Sequence, residues 1–536
     1  MLRLEVRLPL AGLLAGAAVA VLMEILTTTQ VLEPDFSLEF RMLRLLENLI
    51  AALLNFLFSS NLRSSPSPQN DDTTSPAADG LLIGRTVATP GDAEAPLRLS
   101  WKWLERCVYL CGASGSGKTS LLMVIIDALI GRIVNPPSVA KAPSDRAASL
   151  IVVDFRQDLL VRVLMALAKH GRSLAHRTHI FDFARLHELP PFNPLSSQCG
   201  LSDPYTRSAL VLSVIESLSS SWGTTMQEVG RHALLALAFS NRSLADVSRL
   251  FSDPLFRASV LASVPDDLTL AWFAMFNAAT PKRQAELSGP FSNKVNHFLV
   301  RPEIRKWLGS EHSISFGELL DGDEPVVILI GLSADTLSNP VARLLGGLLL
   351  ATITNLVLAR TAVYETDRKP VRIVVDEFQN ICSLPQFPYL LSEGRRYKCA
   401  CLLAHQYALQ LAPELRQAIV GNSAMSAYFQ NDAAQAAALA PNVTSDLPSE
   451  AIKSMIVSQP QGQCFLLRRG EPTVQLKVAH YHDPSDVTPT MVAAFRTAAY
   501  AKIGQPAATP TVTQLPTDTG HAPAMEIEHV SKPDIT

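Results

Sequence analysis

A run of glycine and other small residues between two apolar stretches is the part of the sequence with the clearest chemical potential. Residues 111–120 read Cys-Gly-Ala-Ser-Gly-Ser-Gly-Lys-Thr-Ser and contain the pattern G-x-x-x-x-G-K-[ST]. An apolar run ends just before the pattern and a helical pattern starts just after it, which is the strand–loop–helix context of a phosphate-binding loop. Backbone N–H groups and the positive end of the helix then face the phosphates.

This loop predicts a role for each of its polar residues. Lys118 is expected to reach the β- and γ-phosphates of a bound nucleotide, and Thr119 is expected to ligate Mg²⁺. ATP and Mg²⁺ are therefore the expected cofactors. The predicted nucleotide-binding residues cover the loop and the start of the helix: Gly112, Ala113, Ser114, Gly115, Ser116, Gly117, Lys118, Thr119 and Ser120.

Two acidic residues after a second apolar run complete the pattern. Val374 and Val375 lead into Asp376 and Glu377, as in a Walker B strand. Asp376 is expected to hold Mg²⁺, and Glu377 is expected to polarise the attacking water. Gln406 ends the next predicted strand, where a polar side chain can sense the γ-phosphate; a polar strand end without a catalytic role is the alternative for this residue.

A further positive charge is needed, because Lys118, Glu377 and Gln406 do not neutralise the charge that develops in the transition state. Many P-loop enzymes take an arginine from a neighbouring subunit. Arg395, in the segment after the Walker B residues, is the predicted candidate, and a plain surface arginine is the alternative. The predicted catalytic residues are thus Lys118, Glu377, Arg395 and Gln406.

Composition excludes a protein that coats nucleic acid with its whole surface. The chain has 536 residues and a formal net charge of −3, so any DNA contact must be local. The seven cysteines include no C-x-x-C pair, and we expect them in the core rather than in a metal site. Two basic clusters are candidates for DNA contact, with solvated helix faces as the alternative: Lys282 with Arg283, and Lys294 with Arg301, Arg305 and Lys306.

The first 58 residues are strongly apolar. Uncharged runs cover residues 8–23 and 48–58, each shorter than the roughly 20 residues of a typical spanning helix. Arg3 and Arg7 favour an N-terminus inside the cell, so we expect a membrane hairpin at residues 1–58 that holds the ATPase on the cytoplasmic side of the inner membrane. Two helices packed on a partner or on the membrane surface are the alternative. Residues 59–80 are expected to form a flexible linker, and residues 505–536 a disordered tail.

Apolar runs that alternate with helical patterns predict the fold of the remainder. Runs rich in β-branched residues occur at residues 150–154, 326–330, 372–376 and 400–404. Their alternation with helices favours a three-layer α/β domain with buried parallel strands. Strand patterns disappear between about residues 201 and 308. We therefore expect a P-loop NTPase domain in two parts, residues 81–200 and 309–504, with an all-helical domain inserted at residues 201–308.

Several motifs resemble the TraG/TraD-type coupling ATPases of conjugation and type IV secretion, within the FtsK–HerA group of hexameric DNA translocases. These motifs are Asp376-Glu377-Phe378, Pro385, Phe387, Gly394-Arg395, His405-Gln406, Gln410-Leu411, Phe192-Asn193-Pro194-Leu195, and Gly421-Asn422 followed by Asp432-Ala433. The resemblance spans about residues 82–481. It implies a RecA-like domain with an inserted all-helical domain and an N-terminal membrane hairpin, and it implies that Arg395 acts in trans.

One segment departs from this family pattern. Members usually carry Asp-Pro-Lys-Gly-Glu where this chain has Asp154-Phe155-Arg156-Gln157-Asp158. The role of the family's lysine and glycine is therefore not transferred to this chain, although Arg156 keeps a positive charge.

The leading functional hypothesis is a membrane-anchored ATPase that moves DNA, or a DNA–protein complex, toward a secretion channel. The resemblance implies a homohexamer, with relaxase-type or secretion-channel proteins as partners. Two alternatives remain open. One is a soluble HerA-like DNA translocase in DNA processing, whose N-terminal helices bind a partner. The other is a docking receptor that recognises protein cargo and hydrolyses ATP only to release it.

Overall fold

The apolar runs of the sequence assemble into an 11-stranded sheet in the computed structural model, with the order β2-β1-β11-β10-β9-β3-β8-β7-β4-β6-β5. The structure describes residues 80–87, 93–136, 146–333 and 336–501. The expected membrane hairpin and tail, and nearly all of the expected linker, lie outside these residues. The strands are β1 Leu81–Thr86, β2 Pro96–Leu99, β3 Cys107–Cys111, β4 Ser149–Asp154, β5 Thr178–Asp182, β6 Val327–Gly331, β7 Val371–Val375, β8 Cys399–His405, β9 Ser423–Phe429, β10 Gln463–Arg468 and β11 Val474–Val478.

The strands from β9 to β5 run parallel and are buried along their lengths. β3 pairs with β8 on one side and with β9 on the other, and β7 lies between β8 and β4. The residues that follow these strands therefore meet at one edge of the sheet. The predicted α/β fold is confirmed, and all four apolar runs that predicted strands are strands.

The other four strands, which the sequence patterns did not identify, make the sheet mixed. β10 pairs antiparallel with β9, and β11, β1 and β2 continue the sheet in the same alternating sense. A short connection through Gly470, with a φ of 81°, joins β10 to β11, and such short connections suit antiparallel neighbours. Only Leu476 of β11 is fully buried, so this strand lacks the continuous apolar run that marks a parallel one.

Helices cover both faces of the sheet, as a three-layer domain requires. On β3, Val108 and Leu110 pack toward one hydrophobic core, and Tyr109 and Cys111 pack toward the other. The helices are α1 Lys118–Val134, α2 Asp158–Ala168, α3 Arg172–Ala175, α4 Pro204–Ser217, α5 Thr224–Phe239, α6 Val247–Ser252, α7 Pro254–Leu261, α8 Asp267–Ala278, α9 Pro281–Phe298, α10 Pro302–Leu308, α11 Phe316–Asp321, α12 Asn339–Leu358, α13 Gln386–Glu393, α14 Pro413–Asn422, α15 Ala433–Leu439, α16 Ser449–Ser458 and α17 Pro489–Ala501.

Helix α12 is long and apolar enough to cross a membrane, and among the described helices it alone meets that criterion. Most of its residues are buried in the core beneath the sheet. We therefore assign it as the central helix of one face.

The chain between Pro204 and Leu308, which the structure describes completely, is helical and contains no strand. Three of its helices start at a side-chain cap followed by proline: Asp203 before α4, Asp253 before α7 and Thr280 before α9. Such caps satisfy the free N–H groups of the first turn. At the junction with the sheet, the indole N–H of Trp307 donates to the carbonyl oxygen of Pro190 at 2.7 Å.

Arg207 ties this helical region to the loop that leads into it. Its side chain is buried, with 3% exposure. The guanidinium donates to the carbonyl oxygens of Leu195 at 2.8 Å, Leu201 at 2.7 Å, Ser202 at 2.5 Å and Ala238 at 2.9 Å. Hydrogen bonds from a charged donor are stronger than neutral ones, so one side chain satisfies four backbone acceptors from three segments.

We expect Arg207→Met to destabilise the protein strongly, because these four carbonyl oxygens lose their donor. Each buried acceptor left without a partner costs about 1–3 kcal/mol, so the free energy of unfolding should fall by at least about 3 kcal/mol. Thermal and urea unfolding followed by circular dichroism measure the change. Arg185→Met is the control, because its side chain is 52% exposed and its loss should cost less than about 0.5 kcal/mol. Equal melting temperatures in the two variants would contradict the role of Arg207.

Candidate functional site

The predicted phosphate-binding loop lies between β3 and α1, at the carboxyl edge of the parallel strands. Gly117 precedes α1 with a φ of 113°, in the left-handed region that favours glycine. A Cβ atom at Gly112 would lie 2.5 Å from the Cβ of Phe429, and one at Gly117 would lie 2.8 Å from the Cα of Gly462. Backbone conformation and close packing therefore both require glycine here.

Lys118, the first residue of α1, bends back toward the loop. Its side chain is 7% exposed, and Nζ donates to the carbonyl oxygens of Gly112 at 2.5 Å and Ala113 at 2.8 Å. Burial lowers the pKa of Lys118, and the negative charge of Asp376 opposes that shift. Phosphate oxygens carry a full negative charge, so they are stronger partners for this ammonium group than the two carbonyl oxygens.

The rest of the loop supplies the donors that a phosphate group needs. The hydroxyl of Ser116 is buried and has no hydrogen-bond partner within the described residues. The first N–H groups of α1 have no partner within the helix. Thr119 lies half-buried in the first turn of α1, where a hydroxyl group can ligate Mg²⁺. This set of donors and ligands fits a nucleoside triphosphate with its magnesium ion.

Asp376 and Glu377 follow β7 at the same edge of the sheet, and Gln406 follows β8, which lies between β7 and β3. Glu377 is 5% exposed and has a φ of 57°, an uncommon conformation for a residue other than glycine. The Gln406 amide donates to Oε1 of Glu377 at 2.5 Å. The structure thus connects two of the predicted catalytic residues directly, and Gln406 is buried, with 7% exposure.

Asp376 has an unusual electrostatic environment. Burial raises the pKa of this carboxyl to about 7, with further contributions from the charges of Asp154 and Glu377, while Lys118 acts in the opposite direction. A carboxyl with this pKa holds a proton at neutral pH about half of the time. A divalent cation at the carboxyl would favour the charged form, so the group is suited to bind a metal ion.

Asp154 ends β4, next to β7, and shapes the loop that departs from the family pattern. Its fully buried carboxylate accepts the backbone N–H of Arg156 at 2.8 Å and of Leu160 at 2.8 Å. Burial raises the pKa of Asp154, and these two hydrogen bonds oppose the shift. The turn brings Arg156 to the Walker B residues, where its Nε lies 2.9 Å from Oε1 of Glu377.

Sequence reasoning missed two partners of Glu377. Arg156 is far from it in the chain, and only the adjacency of β4 and β7 brings the two side chains together. The Gln379 amide, two residues after Glu377, donates to its Oε2 at 2.5 Å. The positive charge retained at position 156 was the available signal for the contact between Arg156 and Glu377. Nothing in the sequence pattern indicated the contact between Gln379 and Glu377.

Arg395 lies away from the other predicted catalytic residues. It is exposed and directly precedes β8, so it lies at the amino edge of the parallel strands. β8 has seven residues, which places this edge roughly 20 Å from the one that holds Lys118. Beside Arg395 is a cavity of 160 Å³ whose lining includes Arg106, Asn422 and Arg469. Within one chain, Arg395 therefore does not contribute to the phosphate site.

The two basic clusters lie at opposite ends of α9, which is 18 residues or about 27 Å long. Lys282 and Arg283 are exposed at its start, and Arg283 pairs with Glu286 at 3.3 Å. In the second cluster, Arg301 donates to the carbonyl oxygen of Thr336 at 2.8 Å. The remaining members are Lys294, which is partly buried, Arg305, which donates to the carbonyl oxygen of Leu299, and exposed Lys306.

The cysteines are core residues, as expected. All seven are free, and all except Cys382 are buried. In the part of the chain that the structure describes, no group of three or more His, Cys, Asp or Glu side chains is arranged to hold a metal ion. The candidate cation site at Thr119 and Asp376 is of a different kind, since a magnesium ion in such enzymes takes few protein ligands and completes its shell with phosphate and water.

One family model matches the part of the chain that contains the Walker B residues. Residues 370–458 match the model described as the TraM recognition site of TraD and TraG. The matched region contains Asp376, Glu377, Arg395 and Gln406. No curated protein sequence matches the chain.

Several solved structures have a similar fold over about three quarters of this chain. The plasmid coupling protein TrwB in complex with ADP and Mg²⁺ has a TM-score of 0.52 at 14% identity, over 75% of this chain and 96% of that chain. Unbound TrwBdeltaN70 has a TM-score of 0.51 at 13% identity, over 73% and 88% of the two chains. VirB4 of Thermoanaerobacter pseudethanolicus has a TM-score of 0.50 at 14% identity, over 80% and 100%.

The sequence motifs, the candidate site and these matches agree. The model match covers the segment that carries most of the motifs, and the solved coupling protein has the same RecA-like α/β fold. The predicted resemblance to the TraG/TraD-type coupling ATPases of conjugation and type IV secretion is therefore confirmed.

Proposed function

We propose that this chain is an ATP-hydrolysing coupling protein that moves DNA, or a DNA–protein complex, toward a type IV secretion channel. One observation carries the catalytic part of the proposal. Glu377, buried at the carboxyl edge of the sheet, accepts a hydrogen bond from the Gln406 amide and forms an ion pair with Arg156, and these two residues follow the two flanking strands. Such a fixed carboxylate beside a phosphate-binding loop is suited to orient the water that attacks a γ-phosphate.

Each residue of the site has a defined task in this reaction. The loop N–H groups and the Ser116 hydroxyl bind the phosphate oxygens, and Lys118 exchanges its two carbonyl partners for the β- and γ-phosphates. Glu377 accepts a hydrogen bond from the attacking water. Gln406 contacts Glu377 and lies between it and the loop strand, so it senses whether the γ-phosphate is present. Thr119 and Asp376 hold Mg²⁺, which neutralises charge on the phosphates when bound.

The proposed active unit is a homohexameric ring in which Arg395 completes the site of the neighbouring subunit. The position of Arg395 at the opposite edge of the sheet supports this, because the residue is exposed and too far from its own loop to act there. We further propose that residues 1–58 hold the ring at the inner membrane, with the ATPase in the cytoplasm. DNA would contact the basic clusters at the two ends of α9, since the net charge of −3 does not attract DNA to the surface as a whole.

A cargo-docking receptor is the second candidate function. The match of residues 370–458 to a TraM recognition model favours it, since that model describes a protein-recognition site. The two functions separate in one assay: hydrolysis by the full chain, with and without single- or double-stranded DNA. An ATP hydrolysis rate that rises when DNA is added supports translocation. A hydrolysis rate that is the same with and without DNA supports docking.

Replacement of Glu377 by glutamine should retain nucleotide binding and lower the hydrolysis rate by at least about 100-fold, because glutamine does not accept a proton from water. Lys118→Ala should instead weaken nucleotide binding. Phosphate release and binding of a fluorescent ATP analogue measure the two effects. Glu450→Gln, at a side chain that is 79% exposed, is the control. A Glu377→Gln protein that hydrolyses ATP at the wild-type rate would refute the assignment of Glu377.

Magnesium dependence should vary with pH. Because the pKa of Asp376 is raised to about 7, this carboxyl is mostly protonated below that pH, and Mg²⁺ must displace the proton. The Mg²⁺ concentration for half-maximal analogue binding should therefore rise as the pH falls from 8 to 6, by up to about tenfold. Asp376→Asn should weaken Mg²⁺-dependent binding and remove most of the pH dependence. Equal Mg²⁺ affinity at both pH values in the wild type would contradict the role of Asp376.

Mixed rings test the shared site. Subunits with Arg395→Ala have an intact phosphate loop, and subunits with Lys118→Ala have an intact arginine. When the two are mixed, an Arg395→Ala subunit can receive an intact arginine from its neighbour, so activity should exceed the sum of the separate proteins. Ring assembly is checked in parallel by light scattering. A mixture whose rate follows simple dilution shows that Arg395 does not act on the adjacent subunit.

A further inference from the structure

Arg156 is a positively charged side chain at the candidate site that sequence reasoning left without a role. Its Nε lies 2.9 Å from Oε1 of Glu377, and the two side chains are 50% and 7% exposed. The pair therefore lies at the boundary of the core, with the carboxylate inside and part of the guanidinium reaching solvent. An ion pair with one buried partner is more strongly coupled than one on an open surface.

The carboxylate of Glu377 is held by two hydrogen bonds and one ion pair. Oε1 accepts from the Gln406 amide and lies 2.9 Å from Nε of Arg156, and Oε2 accepts from the Gln379 amide. A carboxylate has about four acceptor positions. The two amides and the guanidinium restrain the plane of the carboxylate and leave at least about one acceptor position free, which is sufficient for a single water molecule.

Arg156 itself is held by a connected set of buried groups. The backbone N–H of Arg156 donates to the carboxylate of Asp154, and the next residue, Gln157, has a φ of 73°. The Gln157 amide donates to Oδ1 of Asp182 at 3.0 Å, and Oδ2 of Asp182 pairs with Arg496 of α17 at 2.7 Å. Both members of this second pair are largely buried, at 3% and 13% exposure. The fold therefore fixes the backbone on both sides of Arg156.

The surroundings of the pair also connect it to the phosphate site. Burial lowers the pKa of Lys118, the carboxylates Asp376 and Glu377 oppose this shift, and the charge of Arg156 adds to it, so Arg156 lies within electrostatic range of the loop lysine. A cavity of 500 Å³ opens beside the pair, and its lining includes Glu377 and Asn380. The lining also includes Arg156 and Gln379, so water in this cavity can reach the ion pair.

We infer that Arg156 is a positioning residue for Glu377. It holds the carboxylate in the orientation in which its remaining acceptor position meets the attacking water. This inference rests on the proposed ATPase function and extends it to a residue that follows β4, two strands away from β8, which precedes Gln406. The ion pair joins Nε of Arg156 to Oε1 of Glu377, so an amine that reaches the same carboxylate oxygen can replace the guanidinium.

The test compares Arg156→Ala, Arg156→Lys and Glu377→Gln in the full chain. Arg156→Ala should lower kcat by about 10- to 100-fold, because the carboxylate loses its ion-pair partner, with a change of less than about threefold in KM for ATP. Arg156→Lys should restore kcat to within about threefold of the wild type. Arg249→Ala, which removes an exposed ion pair at 3.2 Å in the helical region, is the matched control and should not change either constant.

A double variant distinguishes positioning from direct action on the phosphate. If Arg156 acts through Glu377, then adding Arg156→Ala to Glu377→Gln should not lower the residual single-turnover rate further. A further loss of about tenfold in the double variant, a loss confined to KM, or a wild-type kcat in Arg156→Ala would each overturn the inference. Melting temperatures and analogue binding verify that the variants fold. If the Glu377→Gln protein is fully active, the proposed function fails. If the Arg156→Ala protein is fully active and the Glu377→Gln protein is not, only the inference about Arg156 fails.

Discussion

The charge balance at the carboxyl edge of the parallel strands is the constraint on which the rest of the structure depends. Asp154, Asp376 and Glu377 meet there with the buried ammonium of Lys118. Charges withdrawn from water are costly unless they find partners. Asp154 takes two backbone N–H groups and Glu377 takes Arg156 with two amides, whereas Asp376 keeps a pKa raised to about 7. This unequal distribution of partners separates a carboxyl suited to a cation from one suited to orient water.

Strand order makes that distribution possible. The spatial order β3-β8-β7-β4 in the sheet places the loop, Gln406, the Walker B residues and Arg156 side by side, although they come from distant parts of the chain. The long helical region between β5 and β6 leaves and rejoins the sheet through loops that Arg207 and Trp307 connect. It also shares one hydrophobic core with α12, so it is packed on the helix layer of the sheet and is not held by its loops alone.

Features set by local sequence were predictable. The phosphate-binding loop, the four apolar strands and the helices of the inserted region follow from glycine placement and from hydrophobic periodicity over a few residues. β9 was missed because Ser423–Phe429 is built largely from small residues, without the β-branched run of the other parallel strands. β10 and β11 were missed for two reasons. Apolar and polar residues alternate along β11, and both strands are only partly buried and lack a run of β-branched residues. The contact between Arg156 and Glu377 depends on which strands are neighbours, and no local pattern encodes that.

The phosphate-binding loop rests on the antiparallel part of the sheet as well as on its own strand. The N–H of Gly462, just before β10, donates to the carbonyl oxygen of Ser116 at 2.9 Å, and the Gly462 carbonyl accepts from the N–H of Val478 in β11. Gly117 approaches so closely that a Cβ there would lie 2.8 Å from the Cα of Gly462, which itself has a φ of 78°. A side chain at position 117 would therefore collide with Gly462, whereas a Cβ at Gly462 itself meets no atom within 4 Å and only its positive φ favours glycine there. In the descent of such proteins, position 117 must remain glycine while the segment before β10 keeps its place, so a side chain in the loop requires that distant segment to be remodelled.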